Sequence, residues 1–319
     1  MSASPLPIVL IIPSPPLHLP PQYNSSKTIL MTKISGPGNL PWLRNGPAAL
    51  DPQNIAAAVD GSLRRLKTDH LDLVLLHWPD RWVPMFGDRD YDPNVIPDYP
   101  ACPLEEQLEA LGKIVSEGKA RAVGLSNETA WGIARCAALA EFRSDLPRVA
   151  AVQNGYNLLC RTAEVGGGVM EACDRENVGL LAYAPLAAGH LSGKYLPSPQ
   201  LAGPRARLNK FRGRYAEAEM RYAFDKPGLR EAAQDYVSLA AELGMTPAAL
   251  ALRFVLSRPG RMVPRAVIGA TSEEQLAELL DAAAGGDGRG GGVGGEVGLP
   301  GEALARVNAI HERHPNPLP

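Results

Sequence analysis

Cysteine is scarce in this chain: four in 319 residues, at positions 102, 136, 160 and 173. None forms a CxxC pair and no histidine stands at a zinc-like spacing from any of them. Neither a disulfide framework nor a structural metal is therefore expected, and reduced thiols of an intracellular, cytoplasmic protein are. An excess of one charge is also missing. Thirty-two basic residues face 34 acidic ones, for a net charge of -2, and no dense basic run is interleaved with aromatics. That gives no electrostatic reason to expect a nucleic-acid or membrane-surface partner. Long apolar runs are absent near the N-terminus. Ile8 to Ile12 is bounded by Pro7 and Pro13, far short of the roughly 20 residues of a membrane span. No Lys or Arg precedes it and no small-residue cleavage site follows, so a secretory signal is not expected. Organelle targeting by a different N-terminus stays open. The first strand-to-helix turn carries no GxGxxG, which weakens a dinucleotide-binding open sheet.

What is present is hydrophobic content of 45%, enough for a large core in one α/β domain. Residues 1–27, with the stretch PSPPLHLPPQ, suit neither a helix nor a central strand and are expected to be irregular. From Thr28 a unit recurs: a short apolar run, then a helical pattern. The runs are TILMTKI, LDLVLLH, ARAVGLS, RVAAVQ, VGLLAY and RAVIGA. Asp51 is a good N-cap with Pro52 at the first helical position, and Ile55, Val59, Leu63 and Leu66 share a face. In the next helix Leu104, Leu108, Leu111 and Val115 point inward and Gly118 ends it. Further helices are expected from about Glu128, near 228–257, from Ser272, and from Gly301 to His311. The Gly-rich stretch 285–298 follows a helix rather than a strand, so it reads as a surface linker, not a phosphate loop.

Apolar runs separated by helices imply a parallel sheet covered on both faces. Each run ends in polar or special residues: Lys33, His77-Trp78-Pro79, Ser126-Asn127, Gln153-Asn154, Tyr183, and Gly269-Ala270-Thr271. Taken singly, each has an ordinary explanation: a solvated lysine, a core histidine, a helix cap, a core aromatic. Taken together, they fall at the carboxyl ends of parallel strands, where barrel active sites are built.

The motifs MTKISGP, SLRRLKTDHLDLVLLHWPDR, GKARAVGLSNET, VQNGYNLL, LLAYAPLAAGHLSGKY and VIGATSEEQL occur in that order. Through them the chain, from about Thr28 to His311, resembles the aldo-keto reductase superfamily. It looks closest to the branch that holds Tas-like reductases and the potassium-channel β-subunits. The resemblance implies a (β/α)8 barrel, with the six runs as strands three to eight and the N-terminal units lacking. It implies NADPH as cofactor and an aldehyde or ketone as small-molecule substrate. By the same resemblance Lys33 and His77 are catalytic. Ser126, Asn127 and Gln153 hold the nicotinamide carboxamide, and Tyr183 stacks on its ring. Ala184, Pro185, Leu186 and Ala187, with Lys194, follow the pyrophosphate, and Arg207 matches a phosphate-binding arginine. Gly269, Thr271, Gln275 and Glu278 form the adenosine-phosphate site at a helix start. Leu279 departs from the pattern, since the branch usually has an asparagine there.

The family also uses a tyrosine acid and an aspartate upstream of the lysine. Residues 1–27 contain no Asp and one tyrosine, Tyr23, with too short a gap before Lys33 for a helix. Two explanations stay open: an incomplete gene model of an ordinary reductase, or a chain that lost turnover and binds NADPH only. A simple structural barrel is disfavoured because the cofactor-site residues persist. A barrel short of two units is expected to expose strand edges and apolar interior.

Overall fold

Strand β1 (Met31–Ile34) lies parallel to β2 (Leu71–Leu76), with Lys33 opposite Leu75 and Ile34 opposite Leu76. The series continues through β3 (Ala120–Ser126), β4 (Val149–Gly155), β5 (Gly179–Tyr183) and β6 (Arg265–Val267), each paired in parallel with the one before. The order β1-β2-β3-β4-β5-β6 makes an open half-barrel, where a closed barrel of this class has eight strands. The computed structural model describes residues 29–37, 44, 46, 49–84, 90–95, 100–164, 166, 168–213, 220–257, 264–290 and 297–318. The expected irregular segment 1–27 and Tyr23 lie outside them, as do residues 291–296 of the Gly-rich stretch.

The helices between strands form where the caps and apolar spacing place them. Helix α1 (Pro52–Leu66) opens on Asp51, whose carboxylate accepts from the Asn54 N–H, and it closes at Lys67 in the left-handed region. Ile55 and Val59 are fully buried and Leu63 is half-buried, but Leu66 is 44% exposed. The expected apolar stripe thus stops one turn early. Leu66 is the last helical residue, where the chain reverses toward β2. Helix α2 (Leu104–Ser116) buries Leu108 and Leu111, and α3 (Ala130–Phe142) starts after a Thr129 cap, two residues later than expected. Helix α4 (Val169–Glu176) precedes β5. After β5 come a short helix α5 (Arg207–Lys210), then α6 (Leu229–Glu242) and α7 (Pro247–Leu256). Helix α8 (Glu273–Ala283) and α9 (Gly301–Arg313) follow β6. The ends of the Gly-rich stretch are tied to this frame: Gly288 N–H donates to Asp281, and Arg253 donates to the Gly298 carbonyl at 2.7 Å.

Alternate residues of each strand serve two cores, as the period of two requires. Ile34, Val74, Leu76, Val123, Leu125, Val152, Leu180 and Ala182 pack outward with Ile55, Val59, Leu108, Leu111, Ile133 and Cys136. Met31, Leu73, Leu75, Ala151 and Leu181 cluster on the other, concave face, with Ala122 and Val267 packed against them. Met31, Leu73, Leu75, Ala151 and Leu181 are buried, and Ala122 and Val267 are partly so. All four cysteines are buried and free. No single helix among the described residues is long and apolar enough to cross a membrane; the bent pair α6 and α7 passes by composition and contributes Leu229, Tyr236, Leu250 and Phe254 to the main core.

Gly124 sits at a close approach between neighbouring strands. The β3–β4 register shifts between Val123 and Gly124. A Cβ at Gly124 would stand 2.4 Å from the Ala151 carbonyl oxygen and 2.4 Å from Leu75 Cδ2. A glycine in a strand interior signals such a bulge and close approach. Gly124→Ala is expected to lower stability by about 3 kcal/mol, the upper part of the overpacking range, because the backbone oxygen cannot swing aside. Thermal melting checks this; an unchanged midpoint would show that β3 and β4 slide apart freely.

Candidate active site

The concave rows of the strands run from apolar to polar toward their carboxyl ends. Met31 is followed by Lys33, Leu73 and Leu75 by His77, Ala122 and Gly124 by Ser126, Ala151 by Gln153, and Leu181 by Tyr183. The same alternation that buries the interior therefore delivers five polar or aromatic side chains to one mouth. His77 follows β2 directly, and its N–H donates to the Ile34 carbonyl at 3.1 Å, which continues the β1–β2 ladder.

A hydrogen-bond network joins these ends. Ser126 Oγ and the Asn127 N–H both donate to the Gln153 carbonyl, each at 2.9 Å. Asn127 has φ 54°, a left-handed conformation that asparagine tolerates better than most residues. That backbone turn lets its Nδ2 donate to the His77 carbonyl at 2.9 Å while its Oδ1 accepts from the Tyr183 hydroxyl at 2.8 Å. Lys33 Nζ lies 5.8 Å from the centre of the Tyr183 ring. Burial, and then the Lys33 charge, push the His77 imidazole down to about 4. It is neutral at pH 7 and presents one ring N–H as a donor. Beneath the network, Asn154 exchanges hydrogen bonds with the Glu128 backbone. The Glu128 carboxylate in turn binds Arg81, whose guanidinium covers Trp131 at 4.8 Å.

Gln153 carries the clearest sign of a missing partner. Its Nε2 is buried and makes no hydrogen bond, and a buried amide donor left unpaired costs about 1–3 kcal/mol. It lies on the concave face, beside Ser126 and Tyr183. A carboxamide carbonyl placed there would satisfy it, so the residues present fit a nicotinamide.

The expected phosphate loop follows at once. Ala184, Ala187 and Ala188 have φ of 54°, 46° and 55°, a strained conformation for alanine. Asn157 Nδ2 holds the Ala184 carbonyl at 3.0 Å, and the Ala187 N–H returns to that carbonyl at 2.8 Å. Strain of this kind, kept in place by its surroundings, is characteristic of ligand-binding loops. Pro185 and Ala187 are buried. Leu186 packs into a second cluster with Ala248, Leu252, Ile268 and Leu279, which sets the loop beside the start of α8. There Gln275 Oε1 accepts from both the N–H and the hydroxyl of Thr271, and Ser272 caps the helix. Gly269, Thr271 and Gln275 are exposed and Glu278 is half-buried. Leu279 is buried in the cluster, so at this position the side chain packs the helix rather than facing outward. Lys194 is exposed overall, yet partial desolvation of its ammonium lowers its pKa, and it lies against Gly189. Arg207 is exposed and sits over Phe211.

One residue at the mouth has no counterpart in the sequence reading. Arg221 is 9% exposed, donates to the Tyr183 hydroxyl and lies 5.3 Å from the centre of that ring. It comes from the long segment between β5 and β6, which has no periodic signal around this position.

A model of the Aldo/keto reductase family matches residues 21–284 of the chain. An aldo-keto reductase of Babesia bovis is 42% identical over 266 residues, covering 80% of this chain and 89% of that protein. Protein tas of Escherichia coli is 36% identical over 295 residues, covering 92% and 77% respectively. A "Probable voltage-gated potassium channel subunit beta" of Oryza sativa subsp. japonica is 27% identical over 263 residues, covering 82% and 69%.

Proposed function

Because the chain belongs to the aldo/keto reductase family, we propose that it binds NADPH across the carboxyl ends of its strands and reduces an aldehyde or ketone to an alcohol. The observation that carries this reading is the convergence of Lys33, a neutral His77 and the unpaired Gln153 amide around Tyr183. Bound NADPH supplies the hydride. Ser126, Asn127 and Gln153 orient the carboxamide, and the Tyr183 ring supports the nicotinamide face. Ala184 to Ala187 with Lys194 and Arg207 follow the pyrophosphate. Gly269, Thr271, Gln275 and Glu278 take the adenosine phosphate, where free N–H groups at a helix start favour an anion.

At the carbonyl, the His77 ring N–H donates to the oxygen and fixes its direction. That is a donor aimed at the atom where negative charge grows. The Lys33 ammonium stabilises the same charge, and the alkoxide left by hydride transfer takes its proton from solvent water to give the alcohol. A second reading, dinucleotide binding without turnover, is supported by the tyrosine the site does contain. The Tyr183 hydroxyl is already engaged by Asn127 and Arg221, and no tyrosine lies between Tyr23 and Lys33. Fluorescence of NADPH on the purified chain, with benzaldehyde then added, separates the two. Quenching with aldehyde-dependent loss of signal is expected; quenching alone would leave the binding reading, and no quenching would sink both.

A further inference from the structure

Among the described residues, Arg221 is a buried cation without an acidic partner. Its hydrogen bonds run from Nη1 to the Tyr183 hydroxyl and from Nη2 to Cys160 Sγ at 4.0 Å. Its guanidinium also lies 5.7 Å from the Tyr222 ring. No carboxylate among the described residues pairs with it, and the ionisable groups that face it are Tyr183, Tyr222 and Cys160. Ring faces and a phenol offset part of the cost of removing a guanidinium from water. A buried charge is ordinarily also paired, and here the fork keeps donors in excess of its acceptors.

The space for this side chain is built in. Gly155 ends β4 on the concave row directly above Gln153, and a Cβ there would stand 2.5 Å from Arg221 Nη2 and 3.3 Å from Tyr183 Cζ. Lys33 and Arg221 approach the same ring, at 5.8 and 5.3 Å from its centre, so they are no further apart than those two distances together.

We propose that Arg221 is an anion subsite for the substrate, and that the carbonyl compound reduced here carries a carboxylate a few bonds from its reacting carbon. This rests on the reductase reading and narrows its substrate class to oxo acids and carboxylated aldehydes. The planar fork of arginine matches a carboxylate in two-point contact. The dinucleotide phosphates are assigned instead to the Ala184–Ala187 loop.

The test is calorimetric titration of the full chain with benzoate and with benzamide, in the presence and absence of NADPH. Benzoate is expected to bind at least tenfold more tightly than benzamide. Arg221→Gln is expected to abolish that preference, with Arg221→Lys retaining part of it. Equal binding of the two probes to the parent chain overturns the proposal, and that comparison needs no variant to fold. Benzoate binding that survives in a folded Arg221→Gln chain overturns it as well. If Arg221→Gln instead weakens NADPH quenching tenfold and leaves benzoate untouched, the anion is a cofactor phosphate and the proposal is wrong. In turnover, 4-carboxybenzaldehyde is expected to exceed benzaldehyde at least tenfold in kcat/KM, and the excess to vanish in Arg221→Gln. A chain that prefers benzoate but reduces neither aldehyde sinks the reductase reading and leaves the anion subsite standing.

Discussion

A Lys33→Met chain is expected to lose aldehyde reduction by about 10²–10⁴-fold, the range typical of removing a group that acts on a transferring proton or developing charge. NADPH quenching is expected to stay within a factor of two or so of the parent, since the interaction removed is made mainly in the transition state. Methionine keeps the length of the side chain and its packing against Tyr183, so the loss reports the charge. The same variant has a readout that needs no turnover. His77 is held at about 4 by burial first and by the Lys33 charge second. Deleting that charge removes one of the two causes, so the His77 titration followed by NMR is expected to move upward. It will stop short of the ordinary value near 6.5, because the burial remains. The direction follows from sign alone: a neighbouring cation disfavours the imidazolium, and its removal lets the ring hold its proton to higher pH. An unchanged His77 titration would mean that Lys33 points away from the carbonyl position, whatever happens to turnover.

How much of this site was legible beforehand depended on whether a residue's place is set by its own strand. Lys33, His77, Ser126, Gln153 and Tyr183 each close an apolar run, and parallel pairing alone carries run ends to one mouth. Period-two alternation then fixes which of two adjacent polar residues faces inward, so Gln153 lines the mouth while Asn154 turns outward to the Glu128 backbone. Arg221 was not legible, because its position depends on a long excursion returning over Tyr183, and no local pattern encodes that return. Gly124 was hidden for a related reason: the bulge at β3 is imposed by the Ala151 carbonyl and Leu75 of neighbouring strands. Leu66 shows the converse limit. Its phase on α1 is that of the buried stripe, yet a helix end lies beyond the surface it packs on. Leu279 sits one turn from Ala282 on the inner side of α8. Its hydrophobic character is thereby accounted for by packing, where resemblance pointed only to a departure.

Gln153→Met is expected to separate stability from binding in opposite directions. In the parent, Gln153 is 1% exposed and its Nε2 has no hydrogen-bond partner. Replacing the amide by a thioether of similar length removes an unpaired buried donor, a change worth about 1 kcal/mol or somewhat more in favour of the folded chain. The backbone carbonyl of residue 153 still accepts from Ser126 and Asn127, so the loop that follows β3 keeps its anchor. The melting midpoint is therefore expected to rise by a few degrees. Affinity for NADPH is expected to fall at least tenfold, because a carboxamide entering the site would lose its water without gaining the Gln153 donor in its place. A purely structural glutamine predicts the reverse pair of results, a lower midpoint with unchanged quenching. The opposed signs matter more than either magnitude: a residue kept at a cost to the empty fold, and recovered only on binding, is the mark of a site shaped for a ligand rather than for the core.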